Sequence, residues 1–268
     1  MSLKIPKILI IAGSDSGGGA GIQADIKAIT HFKAYSMTAI TAVTAQNTLG
    51  VQYIHSVPIN VLESQIDSVV SDLSPDVVKI GMLGTIEVVD LVSSKIDSFQ
   101  TVLDPVMVAT SGDKLLEDNC INSIKKSLLP LAYLVTPNSY EAEILTGISI
   151  KNINDQTKAA KKLQEFGAKN VLIKGGHVTS NETVVDLLLT ENEEIIINES
   201  KRINSKNTHG TGCTLASAIA AQIGHKMSIQ DAVRSSIQYV QKSILNAPNF
   251  GSGNGPLRHF HDQFFHRR

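Results

Sequence analysis

The fold is decided by the stretch Ile8-Leu9-Ile10-Ile11-Ala12-Gly13-Ser14-Asp15-Ser16-Gly17-Gly18-Gly19-Ala20-Gly21-Ile22-Gln23-Ala24-Asp25-Ile26-Lys27. An apolar run, Ile8–Ala12, reads as a strand; a glycine-rich turn follows, and then a helical pattern begins. The glycines let the backbone approach a ligand closely, and the new helix offers unpaired amides to an anion or polar group. The turn lacks the terminal GK[ST] of a P-loop, and its glycines fit GxGxxG only loosely, at the wrong spacing for a dinucleotide fold. Taken alone it is weak evidence, and a merely tight strand-to-helix turn is the lesser alternative.

Outward from this unit the same alternation recurs. Short β-rich runs stand at Thr38–Ala45, Val77–Ile80, Val102–Leu103, Tyr133–Thr136 and Val171–Ile173. Between them lie helical stripes: Leu62, Ile66, Val69, Val70 and Leu73, and later Ile229, Val233, Ile237, Val240 and Ile244. Alternation of this kind predicts an α/β fold of three layers, a mostly parallel central sheet flanked by helices on both faces. Val51–Val57 after Asn47 and Gly50, and Thr183–Thr190 close before Ile195–Ile197, predict additional antiparallel pairings. No repeat and no linker interrupts the 268 residues, so residues 1–268 are expected to form one domain.

Composition narrows the function classes. A net charge of −1 supplies no broad positive field for nucleic acid or an anionic membrane, which favours a small-molecule partner. Tryptophan is absent and aromatics make up 4% of the chain, against stacking platforms for single strands. Cys120 and Cys213, with no close pair between them, argue against a disulfide framework or structural zinc and for a reducing, cytoplasmic setting. No apolar run approaches a membrane span or a signal-peptide core.

A second glycine turn stands near the end, Asn204-Ser205-Lys206-Asn207-Thr208-His209-Gly210-Thr211-Gly212-Cys213, and leads into the helical Thr214–Ile223. Gly210 and Gly212 expose consecutive amides at the positive end of that helix, a cradle for phosphoryl oxygens and their developing charge. Cys213 falls in the first helical turn. That position is expected to lower its pKa and suits a group that orients or deprotonates an attacking hydroxyl.

The pair AGSDSGGGAGIQAD and NTHGTGCT resembles the signature of the ribokinase superfamily, and Cys at the last motif position is similar to its hydroxymethylpyrimidine phosphate kinases and to a group of pyridoxal kinases. Thr44-Ala45-Gln46-Asn47-Thr48, Lys79-Ile80-Gly81-Met82-Leu83, Leu103-Asp104-Pro105-Val106-Met107, Thr136-Pro137-Asn138-Ser139-Tyr140-Glu141 and Lys174-Gly175-Gly176-His177 agree with the former in order, across nearly the whole chain. The resemblance implies a ribokinase-like fold and ATP-dependent, Mg²⁺-assisted phosphorylation of 4-amino-5-hydroxymethyl-2-methylpyrimidine and its monophosphate in thiamine biosynthesis. It also implies a homodimer. One position departs: relatives usually carry Ser or Thr where Gly17 stands, so a looser loop is expected here.

Roles follow from that resemblance and from the chemistry. Gly210, Thr211, Gly212 and Cys213 should hold the γ-phosphoryl and orient the substrate hydroxyl. Asp104 and Glu141, each just past a strand, are the expected Mg²⁺-associated carboxylates, with Asn138 on the same side if its turn is helical. Lys174, Thr208 and Thr211 are expected at the nucleotide. The aminopyrimidine needs an amide or carboxylate plus backbone groups, which Asp25 and Gln46 fit; the resemblance adds Gly13 and Met82 at the ring. His209 is read as capping or packing, and the tail from Arg258 to Arg268 as a segment docked by its aromatics. Three rivals stand beside it: a Cys-type pyridoxal kinase; from another reaction class, an acyl transferase or hydrolase using Cys213 as nucleophile; and a catalytically silent sugar- or vitamin-binding protein on the same fold, against which both the anion hole and the two carboxylates argue.

Overall fold

The computed structural model describes residues 4–113, 115–117, 119–176 and 182–260. Its strands are β1 (Lys7–Asp15), β2 (Tyr35–Asn47), β3 (Gly50–Ser56), β4 (Val77–Ile80), β5 (Gln100–Leu103), β6 (Ala132–Val135), β7 (Asn170–Ile173), β8 (Thr183–Leu189) and β9 (Ile195–Lys201). They form one sheet in the order β3-β2-β1-β4-β5-β6-β7-β8-β9. The run from β2 to β7 is parallel, and β3, β8 and β9 add antiparallel pairings at the two edges, as the turn spacing predicts.

The helices are α1 (Gly21–His31), α2 (Ile59–Leu73), α3 (Ile86–Lys95), the short α4 (Cys120–Ser123), α5 (Ser139–Thr146), α6 (Ile153–Glu165), α7 (Thr211–Gly224) and α8 (Ile229–Leu245). Period-two alternation divides each central strand between two apolar layers. Leu9, Ile11, Val78 and Ile80 pack toward α2, α3, α5 and α6, whereas Ile8, Ile10, Ala12 and Val77 pack toward α1, α7 and α8. Burying each such side chain stabilises by about 1.5–3 kcal/mol. The α7 helix departs from a simple stripe: every residue from Thr214 to Ile223 is buried, because its Ala and Ser positions let neighbours approach from all sides.

The parallel strands end along a single edge of the sheet. Asp15, Gly81, Asp104, Thr136 and Lys174 each close or directly follow a strand there, where open α/β sheets bind ligands. Of the C-terminal segment expected to dock by its aromatics, only Arg258 to Phe260 are among the described residues. His259 is the buried anchor, with Thr214 Oγ1 2.9 Å from its Nε2 and the Tyr239 hydroxyl donating to its carbonyl, while Phe260 is 60% exposed. The Phe260 ring carries the Arg258 guanidinium 4.8 Å from its centroid. The remainder of the tail, 261–268, and His177 lie outside the described residues.

Candidate active site

The two glycine turns are bolted together by a pair the sequence reading did not couple. Asp15 accepts hydrogen bonds from the amides of Gly17 (2.8 Å), Gly19 (3.0 Å) and Ala20 (2.8 Å), and its Oδ2 lies 2.8 Å from His209 Nε2. Burial alone would raise the Asp15 pKa, but His209 and the amides outweigh it and hold the carboxyl below its ordinary value. His209 is therefore the link between turns rather than a cap. At Gly210, φ is 80° and a Cβ would collide with the Gly19 carbonyl, so only glycine lets the turns touch. At Gly17 the backbone is tied to the Asp15 carboxylate through its amide at 2.8 Å, and a Cβ there would stand 3.1 Å from the Gln46 carbonyl oxygen and 3.2 Å from Asp15 Oδ1.

Helix α7 starts inside this clamp. Gly210 is its N-cap, Thr214 N bonds back to the Gly210 carbonyl, and Thr211 N bonds to the Thr208 carbonyl. The Gly212 and Cys213 amides have no intrahelical acceptor, which leaves them to serve an anion. Cys213 itself overturns the expected pKa depression. Burial, followed by the Asp25 and Asp104 charges, pushes the thiol up to about 12, outweighing the buried Lys79 ammonium that favours the thiolate. The helix end acts over one turn; desolvation and two carboxylates act against it from other elements. Cys213 is half-buried and stays protonated at neutral pH.

Opposite α7 stands a charge cluster. Lys174 Nζ lies 2.9 Å from Asp104 Oδ1 and 4.0 Å from Glu141 Oε2, and Thr136 Oγ1 donates to Asp104 at 3.2 Å. A Cβ on Gly212 would stand 3.2 Å from Lys174 Nζ and 3.6 Å from Asp104 Oδ2, so this cluster borders the α7 amides directly. Asn138 and Glu141 form a capping box: Asn138 Oδ1 accepts from Glu141 N at 2.9 Å, and Glu141 Oε2 accepts from Asn138 N at 2.8 Å. The box fixes the carboxylate. Burial, set against Lys174 and reinforced by Asp104, pushes Glu141 up to about 7. Lys174 is moved the other way from a free amine: burial would lower its pKa, but Asp104 and Glu141 raise it, so it remains a cation.

A family model described as phosphomethylpyrimidine kinase matches residues 15–258. The chain belongs to that family. It is 46% identical over 261 residues to the hydroxymethylpyrimidine/phosphomethylpyrimidine kinase of Bacillus subtilis, covering 96% of each chain. Among solved structures, a phosphomethylpyrimidine kinase from Clostridium difficile superposes with a TM-score of 0.78 at 38% identity, covering 90% of this chain and 100% of that one. An ADP complex of Bacillus subtilis pyridoxal kinase superposes with a TM-score of 0.88 at 32% identity, covering 96% and 98%.

In this phosphomethylpyrimidine kinase family member the residues expected at the ring divide in two. Gly13 and Met82 pack together, a Cβ on Gly13 standing 3.0 Å from Met82 Sδ, and Gln46 is held by Thr44 Oγ1 at 3.0 Å with its Nε2 3.4 Å from His209 Nε2. Asp25 does not join them at a free surface. It has no exposed area, and its oxygens accept from Lys79 Nζ at 3.0 and 2.9 Å and from Ser217 Oγ at 2.7 Å, so a direct ring contact is replaced by a buried ion pair. A hollow of about 760 Å³ between α1, β9 and α8 shares no residue with this constellation. A second of about 590 Å³ opens beside Met82, lined also by Ala42, Ile54 and Leu116. Among the described residues no cluster of three His, Cys, Asp or Glu could hold a metal by itself.

Proposed function

We propose that this enzyme transfers the γ-phosphoryl group of ATP to the hydroxymethyl oxygen of 4-amino-5-hydroxymethyl-2-methylpyrimidine and then to the monophosphate so formed, in thiamine biosynthesis. The observation that carries this reading is the start of α7, where the Gly212 and Cys213 amides lie free beside Lys174 and Asp104. Phosphoryl transfer through a loose transition state asks for positioning and charge neutralisation, which this arrangement supplies. Gly210 to Cys213 cradle the γ-phosphoryl, Lys174 with Thr208 and Thr211 attends the nucleotide phosphates, and the protonated Cys213 orients the attacking hydroxyl. Gln46, Gly13 and Met82 receive the ring.

Two hard-oxygen carboxylates, Asp104 and Glu141, within reach of one lysine fit Mg²⁺, which takes one or two carboxylates and completes its shell with phosphate oxygens and water. When bound, the ion neutralises charge on the β- and γ-phosphates. The cytoplasm is the matching compartment, since both cysteines are free and no helix among the described residues is long and apolar enough to cross a membrane.

The pyridoxal kinase reading is favoured by one observation, the TM-score of 0.88 against 0.78. Fold alone does not set substrate. A side-by-side assay with ATP and Mg²⁺ is expected to give a higher kcat/KM for the aminopyrimidine than for pyridoxal; equal or better turnover of pyridoxal would move the assignment to the rival. The acyl-transfer reading is disfavoured by a thiol at about 12 and a histidine engaged by Asp15.

The homodimer gains support from an edge that the sequence did not reveal. Val43 on β2, Leu49 in the turn, and Tyr53 and Ile54 on β3 are all exposed on or beside a strand that, among the described residues, pairs only with β2. Light scattering after size exclusion should give twice the chain mass, and the double substitution Tyr53→Lys, Ile54→Lys should halve it. A monomeric wild-type protein would remove the dimer.

A further inference from the structure

Lys79 is a fully buried lysine on β4, a strand in the middle of the parallel region, and the chain places it where an aliphatic residue would serve the fold. Its neighbours Val78 and Ile80 face one apolar layer, and by strand alternation Lys79 faces the other, the side of α1 and α7 where Asp25 and Ser217 stand. Both Asp25 oxygens lie within 3.0 Å of its ammonium. Room for that ammonium comes from Gly81, where a Cβ would stand 3.0 Å from Nζ. A buried ion pair of this kind is often matched or bettered in stability by apolar side chains of similar volume. Stability alone therefore gives no reason for the pair.

Its placement does. Asp25 sits four residues beyond Gly21, the first residue of α1, and the turn before Gly21 touches the start of α7, since a Cβ on Gly210 would collide with the Gly19 carbonyl and stand 3.0 Å from Ala20 Cα. Ser217 sits four residues beyond Cys213, on the same face of α7, and donates to Asp25 Oδ1 at 2.7 Å. The two helices thus converge at their starts, and one turn further along each they are fastened to each other and to the central strand. Lys79 is the fixed cation to which both are tied.

We propose that Lys79 is a positioning residue for phosphoryl transfer, acting through Asp25 and Ser217 to fix the first turns of α7 and with them the Gly212–Cys213 cradle. The inference rests on the kinase reading above. A shift of about 1 Å at reacting groups costs on the order of 100-fold in rate, and a loosened first turn of α7 moves the amides and the thiol together.

The test uses the double variant Lys79→Met, Asp25→Leu, which removes both charges and fills the space, beside Ser217→Ala, which keeps the ion pair and cuts its tie to α7. For the double variant the expected result is a melting temperature at or above wild type, a kcat lower by roughly 10- to 100-fold and a KM for ATP within about threefold. Ser217→Ala should show the same split to a smaller degree. A folded double variant with kcat within about twofold of wild type overturns the proposal; if the double variant does not fold, Ser217→Ala with unchanged kcat overturns it. Alkylation of Cys213 by iodoacetamide, followed by peptide mass, reads the clamp without substrate and should quicken several-fold in both variants. Wild-type protein inactive on the aminopyrimidine would sink the kinase reading, whereas unchanged alkylation would sink the clamp.

Discussion

Replacing Cys213 with Ala should lower kcat for the aminopyrimidine by about 10²–10⁴-fold while leaving the KM for ATP within a few-fold of wild type. The amides of Gly212 and Cys213 belong to the backbone and survive the substitution, so on the proposed reading nucleotide binding is retained and only the group that would orient the attacking hydroxyl is lost. The pH dependence separates orientation from base catalysis. With the thiol at about 12, the thiolate fraction grows tenfold with each pH unit below that value, so a required thiolate would make kcat climb steadily between about pH 8 and pH 10. An orienting thiol leaves kcat flat there, and a flat profile is the expected result. Cys213→Asp should recover part of the rate lost in Cys213→Ala, since a carboxylate can orient or accept a proton but cannot pass through an acyl-enzyme of the thioester kind. Wild-type kcat in Cys213→Ala would dismiss the sulfur altogether.

The sequence was most legible where structure is set locally. The run Val77–Ile80 is β4 to the residue, and the stripe from Ile229 to Ile244 lies within α8, because each is bounded by breakers or a cap. The first two strands run further than their apolar runs: β1 reaches Asp15 because Ser14 and Asp15 pair with Val43 and Thr44, and β2 reaches Asn47 because Gln46 and Asn47 pair with Val51 and Gly50 of β3. Between Met107 and Leu131 no pattern is readable, and there the chain forms a short helix, a π turn and a 3-10 turn around Pro130. The site followed the same rule. Glycine turns, the post-strand carboxylates and the thiol show as residue types at telling positions. Asp15 with His209, 194 residues apart, and Lys79 with Asp25, 54 apart, do not, because only the strand order brings them together. Lys79 did carry a signal, a lone charge in the run Val-Val-Lys-Ile, and Asn138-x-x-Glu141 carried the capping-box spacing. Cys213 failed in the opposite sense: its helix position is local, but burial and the charges of Asp25 and Asp104 are not.

Glu141→Gln should yield a protein that is more stable at neutral pH and nearly inactive. The substitution keeps the capping box, since the amide oxygen still accepts from Asn138 N, and removes a charge that the site buries. Glu141 has a folded-state pKa of about 7 against an ordinary 4.5. Below the ordinary value both folded and unfolded chains carry the proton, and burial costs no charge. As pH rises toward 7 the unfolded chain releases that proton while the folded chain keeps it, so wild-type stability declines across this window and levels off above it. Gln has no such decline. The melting-temperature advantage of Glu141→Gln should therefore be near zero around pH 4.5, grow to a plateau above about pH 7, and correspond to on the order of 1–3 kcal/mol. Added Mg²⁺ should narrow the gap by favouring the ionised carboxylate in wild type only, and kcat/KM should fall by roughly 10²-fold or more with the loss of metal-borne charge neutralisation. An advantage independent of pH would mean that Glu141 is already ionised in the folded enzyme. On the proposed reading, this buried carboxylate costs stability so that it can serve the phosphates and their cation.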